Sequence, residues 1–284
     1  MKIQLESKIN MSKHYQSEVE ELYKENLPKL KSYLYRLVTN PEDVDDLAQE
    51  TFIRVLKKID SFKGKSSFKT WLFTIATNLA KDHYKAKKRW PSYAQDNCSL
   101  SIKASTELQE KTISIYHNDE LGKYEITEHI DYCFTCVMKY LPLEHQLAIM
   151  LADIYDFKVS EIGLILNKSV GSIKHYLHNG RHTMIEVFDN DCSLINKTGV
   201  CHKCSELSNS GNSKAETQRK ITSLELVRSA NDLSKSDLYT LRTALVKAID
   251  PLQANSFHLH DFLLKQTDYA SDKSYPKTDK MCGE

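Results

Sequence analysis

Two cysteine pairs have the spacing of metal ligands. Cys133 and Cys136 lie three residues apart in the sequence, and so do Cys201 and Cys204. Each pair can supply two thiolates at zinc-knuckle spacing, so the four cysteines together would make one closed zinc site. Because 65 residues separate Cys136 from Cys201, the fold would have to bring the pairs together. The sequence leaves two alternatives open, a redox dithiol without metal and buried thiols that only pack.

Charge is segregated along one stretch of the chain. The formal net charge is only +1, but residues 57–89 hold ten Lys or Arg against two acids. Residues 41–56, just before them, hold five acids and one Arg. Neighbouring segments of opposite sign indicate two different partners. The basic segment also contains aromatic residues, including Phe62, and aromatic side chains among cations suit single-stranded nucleic acid.

A helix that starts at Asn40 would position the acidic segment. Asn40 is a suitable N-cap, Pro41 suits the first helical position, and acids follow in the first turn. Apolar residues recur every three or four positions up to Ile59, which predicts one buried face. The opposite face carries Asp45, Asp46, Gln49 and Glu50. On this helix alone, solvent exposure explains such a face as well as a binding partner does.

The next helix carries the basic residues. Ser66 or Ser67 is its predicted N-cap, and its apolar stripe includes Trp71, which we interpret as a core residue. The remaining positions are polar or basic and would face a partner: Lys69, Thr70, Asn78, Lys81 and, beyond the stripe, Lys85. Cations near a helix C-terminus also interact favourably with the helix dipole. The ten Lys or Arg of residues 57–89 are more than this interaction requires.

A second helical block, residues 126–188, contains two capped helices joined by a tight polar turn. Ser160 is the predicted cap of the first helix and Ser169 that of the second. This pattern is typical of a helix-turn-helix, whose second helix reads DNA, although a plain helical hairpin gives the same pattern. The outward residues of the second helix that would contact bases and phosphates are Ser172, Lys174, His175, His178 and Arg181.

The whole pattern predicts an all-α protein with two helical domains, a flexible linker between them and a small helical C-terminal extension. Three short helices are expected in the extension, with Ser236 and Asp250 or Pro251 as starts. The predicted ranges are 15–90 for the first domain, 91–125 for the linker, 126–190 for the helix-turn-helix domain, 191–217 for a Cys-bearing segment and second linker, and 218–270 for the extension.

Residues 43–89 resemble region two of the extracytoplasmic-function (group IV) RNA polymerase sigma factors, and residues 141–184 resemble region four in the same order. The Cys-bearing segment is similar to an extension found in a subset of that family. The resemblance implies that the acidic face docks on the clamp helices of the polymerase core. It also implies that the loop 62–67, with Lys63, Lys65 and Ser66, holds an extruded base of the minus-ten element. The α-helix after this loop would track the melted non-template strand.

One departure from the family pattern concerns the reader helix. An Arg-rich run usually ends it, whereas His175, His178 and His182 stand there in this chain. Neutral imidazoles release few counterions, so binding to the minus-thirty-five element is expected to be weaker or sensitive to pH.

The resemblance predicts a sigma factor that directs RNA polymerase core to promoter DNA and initiates transcription. A stand-alone helix-turn-helix regulator with a zinc or redox-sensing cysteine site is the alternative. An enzyme is not expected, because nucleotide-binding loops, nucleophile elbows and HExxH are missing from the sequence. We expect a cytoplasmic protein without a signal peptide or membrane segment. The residues do not decide whether an anti-sigma factor is a further partner.

Overall fold

The structure, a computed structural model, describes residues 2–62, 64–84, 90, 94–117, 126–192 and 223–272. Every regular element in these ranges is a helix, which confirms the predicted all-α fold. The helices are α1 Lys2–Val38, α2 Pro41–Lys58, α3 Phe68–Tyr84, α4 Ala94–Ala104, α5 Thr106–His117, α6 Ile126–Met138, α7 Leu143–Ile149, α8 Val159–Leu166, α9 Val170–Asp191, α10 Glu225–Arg228, α11 Lys235–Ala248 and α12 Phe257–Asp272. Within the described ranges, none of these helices has the length and apolarity needed to cross a membrane.

The chain divides into two compact units. The first comprises Met1–Lys88 and Leu147–Asn179, and the second comprises Arg89–Gln146 and Gly180–Glu284. The first unit therefore contains α1, α2 and α3 together with most of the helix-turn-helix, and the second contains the C-terminal helices.

Local capping explains where the helices of the first unit begin. The side chain of Asn40 accepts a hydrogen bond from the Glu42 backbone N–H at 3.0 Å, which confirms the predicted start of α2. Ser67 caps α3, because its Oγ accepts from the Thr70 N–H at 3.1 Å. The three helices enclose a core of fully buried apolar residues, among them Leu30, Leu34, Val55, Leu72 and Phe73.

The helix-turn-helix differs from its prediction at one cap. Lys158, and not Ser160, stands at the N-cap of α8, where the Glu161 side chain accepts from the Lys158 backbone N–H at 2.8 Å. Ser160 is exposed inside the first turn, because the acid three residues after Lys158 supplies the reciprocal bond of a capping box. Ser169 does cap α9, since its Oγ accepts from the Ser172 N–H at 3.1 Å.

The turn between α8 and α9 requires close backbone approach. Asn167 ends α8 in the left-handed region at φ 52°, a conformation that Asn tolerates better than most residues. A Cβ on Gly163 would lie 3.0 Å from the Lys168 carbonyl oxygen, so glycine lets the chain fold back tightly there.

The second unit contains two helices, α4 and α5, within the range 91–125, where polarity predicts an irregular linker. Ala94 and Cys98 of α4 are buried, and α4 packs extensively on α12. The Cys98 thiol lies 3.9 Å from the Leu263 carbonyl oxygen of α12, and the Trp90 indole N–H donates to Asp268 at 2.8 Å. Packing against a distant helix therefore supplies stability that local propensity does not predict.

Within residues 223–272, the C-terminal extension forms three helices, the number predicted, but two of the starts differ. Ser234, not Ser236, caps α11 by accepting from the Asp237 N–H at 3.2 Å. The third helix begins at Phe257, after Asp250 and Pro251. The two backbone N–H groups just before it donate to the Glu128 carboxylate of α6, a long-range contact that no local pattern indicates.

A buried stack joins α6 to α12 in the second unit. The rings of Tyr132 and His260 are stacked with centroids 5.1 Å apart. Burial lowers the pKa of His260 to about 3, so its imidazole is neutral at physiological pH and packs as an aromatic ring.

Candidate nucleic-acid interface

The acidic face of α2 is open to solvent. Asp45, Asp46 and Gln49 are exposed and Glu50 is half-buried, on the side of the helix opposite its buried apolar residues. Lys31 pairs with Asp45 at 2.6 Å, and Arg54 pairs with Glu50 at 2.8 Å. Exposed ion pairs of this kind contribute little to stability, so the carboxylates remain available to a cationic partner.

Three aromatic rings form a cluster at the start of α3. The ring centroid of Phe62 lies 5.1 Å from that of Trp71 and 6.1 Å from that of Phe68, and all three side chains are half-buried. Trp71 is thus a partly exposed member of this cluster and not the core residue that its stripe position predicts. Half-exposed rings provide a surface on which unpaired bases can stack.

The loop between Phe62 and α3 turns at Gly64, whose φ of +67° lies in the left-handed region. Lys65 is exposed, and Ser66 donates a hydrogen bond to the Ser67 carbonyl oxygen at 3.3 Å. Lys63, also predicted to contact DNA, lies outside the described residues.

Four predicted DNA contacts on α3 have different environments. Asn78 is exposed and Lys81 is half-buried. Thr70 is buried, although its position predicts a partner-facing residue, because its hydroxyl donates to Glu161 of α8 at 3.1 Å. Lys69 is half-buried, and its ammonium donates to the Tyr155 carbonyl oxygen at 3.0 Å. The predicted residue Lys85 lies outside the described residues.

The residues predicted to read DNA lie mostly on an exposed face of α9. Four of its five predicted residues, Lys174, His175, His178 and Arg181, are exposed, and Ser172 is half-buried. Lys174, His178 and Arg181 recur at four- and three-residue spacing, which places them on one side of a helix. His175 pairs with the Asn179 side chain at 3.1 Å.

The cysteines do not form a complete site within the described residues. Cys133 is half-buried and Cys136 is fully buried in α6, whereas Cys201 and Cys204 lie outside the described ranges. No cluster of three or more His, Cys, Asp or Glu side chains suited to a metal occurs in the part of the chain that the structure describes. The four-cysteine zinc site therefore stays a prediction.

The pattern of the sequence did not indicate Arg242, which is 1% exposed in α11. Its Nη2 donates to the Cys192 sulfur at 3.3 Å, and its guanidinium lies 3.9 Å from the centre of the Phe188 ring. The contact joins the end of α9 to the extension, and a lone Arg in an amphipathic helix gives no sequence signal for it.

The sequence pattern also did not indicate that Tyr155 makes buried contacts, because it stands in a short polar turn. Its hydroxyl accepts from the buried Arg36 guanidinium at 2.7 Å and lies 3.0 Å from the Ser32 hydroxyl. Two aromatic residues, Tyr155 and Phe157, in a short polar turn are the signal that indicates a packed turn.

Comparison with known proteins identifies the family. The models of Sigma-70 region 2 and Sigma-70, region 4 match residues 22–90 and 132–184. The chain is 32% identical over 169 residues to the ECF RNA polymerase sigma factor SigW of Bacillus subtilis, covering 59% of this chain and 86% of that protein. It is 30% identical over 165 residues to the ECF RNA polymerase sigma factor SigE of Mycolicibacterium smegmatis, covering 58% of this chain and 59% of that protein.

A solved structure is similar over a comparable span. The sigma factor RpoE of Bartonella quintana, in complex with the anti-sigma factor NepR, is 23% identical with a TM-score of 0.40, covering 62% of this chain and 97% of that chain. The two region matches and the identity to SigW over most of that protein's length lead to one conclusion. The chain belongs to the extracytoplasmic-function (group IV) RNA polymerase sigma factors.

Proposed function

We propose that this sigma factor binds the polymerase core through an acidic surface and promoter DNA through a basic surface of the same helical module. The acidic face of α2, made of Asp45, Asp46, Gln49 and Glu50, binds the polymerase core. The surface formed by the loop 62–67 and α3 binds the melted minus-ten strand, and α9 reads the minus-thirty-five element. The observation that carries the proposal is the exposure of a mainly acidic and polar face on α2, directly before a strongly basic segment.

As a sigma factor, the protein directs RNA polymerase core to promoter DNA and initiates transcription. Members of this family are DNA-binding transcription initiation factors, and we propose that the chain has no catalytic activity of its own. A stand-alone helix-turn-helix regulator would not need region two, so the match over residues 22–90 disfavours that alternative. We also propose that it acts in the cytoplasm, where the polymerase core and the promoter are.

Run-off transcription tests the proposed function directly. Purified chain is combined with polymerase core and fragments of its own genome that contain candidate promoters. Discrete transcripts that require both the chain and the core support the proposal. Sequence-specific DNA binding by the chain without any core-dependent transcript would support the alternative regulator.

The two DNA surfaces are expected to respond differently to the same substitution. Lys174→Ala removes a group that faces base edges, so it should change the order of preference among upstream sequences. Lys81→Ala removes a phosphate contact, so it should weaken binding to all promoters by the same factor. It should also lower the salt slope of binding by about one unit or less. Holoenzyme binding to a panel of upstream sequences, measured at several salt concentrations, separates these results. If Lys174→Ala weakened binding to every promoter equally, Lys174 would be a phosphate contact and not a contact to base edges.

The cysteines give a separate prediction. We propose that Cys133, Cys136, Cys201 and Cys204 bind one zinc ion, because two pairs at knuckle spacing supply the four thiolates of a closed tetrahedral site. Protein purified under reducing conditions should contain one zinc per chain by elemental analysis. Cys136→Ser should lower this content strongly, whereas Cys98→Ser, which changes another buried thiol, should not. Wild-type protein without zinc contradicts the proposal and favours a redox or packing role.

An anti-sigma factor remains a proposed further partner. The solved RpoE structure is described as a complex with such a factor, but no residue of the present chain identifies one.

A further inference from the structure

A cysteine and an arginine meet in the contact between α9 and α11. Cys192 follows the last residue of α9 and is 7% exposed. The Nη2 of Arg242, on α11, donates to the Cys192 sulfur at 3.3 Å. The same guanidinium covers the Phe188 ring, with its central carbon 3.9 Å from the ring centre. Neither Cys192 nor Arg242 belongs to the proposed polymerase and DNA surfaces.

The positive charge of Arg242 is buried without a carboxylate beside it. The side chain is 1% exposed, its Nε has no hydrogen-bond acceptor, and no Asp or Glu pairs with it in the part of the chain that the structure describes. A buried guanidinium is costly unless an anion or several acceptors compensate it, and the Phe188 ring compensates only part of this cost. The Cys192 sulfur is the acceptor of this guanidinium that can itself carry a negative charge.

A small cleft between α9 and α11 reaches Arg242. Asp189 of α9 and Lys235 and Tyr239 of α11 are among its lining residues, and Lys235 pairs with Asp189 at 2.5 Å. The volume of the cleft is about 10 Å³, which corresponds to about one water molecule. A small oxidant can therefore approach the guanidinium through this cleft.

A cation beside a cysteine sulfur favours its oxidation, because the thiolate is the nucleophile and the cation stabilises its negative charge. In the reaction with hydrogen peroxide, the sulfur attacks one peroxide oxygen, and an S–O bond forms as the O–O bond breaks. The second oxygen leaves with the proton of the thiol as water. Sulfur loses two electrons, the peroxide gains them, and the product is a sulfenic acid that thiols can reduce again.

We propose that Cys192 is a peroxide-reactive modification site, activated by Arg242, at the contact between α9 and the C-terminal extension. The inference rests neither on the proposed DNA surfaces nor on the proposed zinc site, which uses other cysteines. Because Cys192, Arg242 and Phe188 are all buried, an oxygen added to the sulfur must displace one of its neighbours. Oxidation therefore weakens the packing of α11 on α9.

Dimedone, which labels sulfenic acids, tests the reactivity of each thiol. Reduced full-length protein is treated with hydrogen peroxide and dimedone, and each cysteine is read by peptide mass spectrometry. Cys192 should be labelled roughly tenfold faster than Cys98, a buried thiol that donates to the Leu263 carbonyl oxygen and not to an anion-stabilising group. If the two thiols were labelled at equal rates in the wild type, the inference would be overturned.

Arg242→Met separates the effect of the charge from that of exposure, because it removes the guanidinium and keeps a long apolar side chain. Labelling of Cys192 should fall roughly tenfold in this variant. Lys235→Met is the matched control, since it removes another cation of α11 that pairs with Asp189, and it should leave the labelling unchanged. Labelling of Arg242→Met as fast as the wild type would show that exposure sets the rate, and the inference would be wrong.

Two further measurements protect the test against loss of folding. Arg242→Lys keeps the positive charge, so Cys192 should be labelled about threefold faster in it than in Arg242→Met, and equal rates in the two would contradict activation by charge. Hydrogen exchange of the α11 amides should become faster after peroxide treatment of the wild type, but not of Cys192→Ser. Unchanged exchange in fully oxidised wild type would overturn the proposed weakening of the contact between α9 and α11.

Discussion

Asp46→Lys is expected to reduce the affinity of the protein for polymerase core by tenfold or more. Asp46 is exposed at the centre of the acidic face of α2, with Asp45 and Gln49 beside it. Reversing one charge at a complementary interface replaces an attraction with a repulsion, and like charges placed together at an interface cost several kcal/mol. Because the side chain is exposed, the helical content and thermal stability of the free protein should not change.

Glu110→Lys provides the control for this effect. Glu110 is an exposed acid on α5, so the substitution makes the same change of net charge on a different helix. Both variants are measured for binding to immobilised polymerase core at two salt concentrations. If Asp46→Lys, Glu110→Lys and the wild type bound the core equally, the acidic face would not be part of the polymerase interface. A loss shared by both variants would assign the effect to net charge.

Local signals predicted three of the helix starts correctly and missed those of α8, α11 and α12, although a cap is decided by residues that are neighbours in the sequence. Asn40, Ser67 and Ser169 accept the hydrogen bonds expected of them. The error at Ser160 has a local cause too, because the Glu161 side chain accepts from the Lys158 backbone N–H and so places the N-cap at Lys158. A search for an acid at the third helical position would have located the start of α8 from the sequence.

Contacts between distant parts of the chain were not predictable in the same way. Lys69 and Thr70 are predicted to face a partner, and in the structure both donate to Tyr155 and Glu161, which follow them by 86 and 91 residues. Nothing in the periodicity of α3 shows that its partner in this structure is another helix of the same chain.

The helices α4 and α5 illustrate the same limit. Their residues are mostly polar, so the 3.6-residue period is weak and an irregular segment is predicted. Cys98 meets the Leu263 carbonyl oxygen 165 residues later, and Trp90 meets Asp268 178 residues later. Burial on α12 decides their structure, and the extension is therefore part of the core of the second unit.

Glu128 is the residue on which the docking of α12 is expected to depend most. Its two carboxylate oxygens accept from the backbone N–H groups of Asn255 and Ser256, at 2.8 and 2.7 Å, just before α12 begins. Glu128 is 8% exposed and Ser256 is 1% exposed, so water cannot easily replace the bond to the Ser256 N–H, whereas the bond to Asn255 is only part-buried. The negative carboxylate also lies at the positive end of the α12 dipole.

Glu128→Ala should therefore lower the free energy of opening of α12 by about 3 kcal/mol, since it leaves the buried Ser256 N–H and the part-buried Asn255 N–H without their charged acceptor. Hydrogen exchange of the α12 amides, read by mass spectrometry, measures this local free energy. Glu128→Gln keeps one acceptor oxygen and should give roughly half the loss, whereas Glu110→Ala on exposed α5 should stay within about 0.5 kcal/mol of the wild type. If Glu128→Ala exchanged its α12 amides no faster than Glu110→Ala, apolar packing against α4 and α6 would be sufficient to hold α12, and the carboxylate cap would be dispensable.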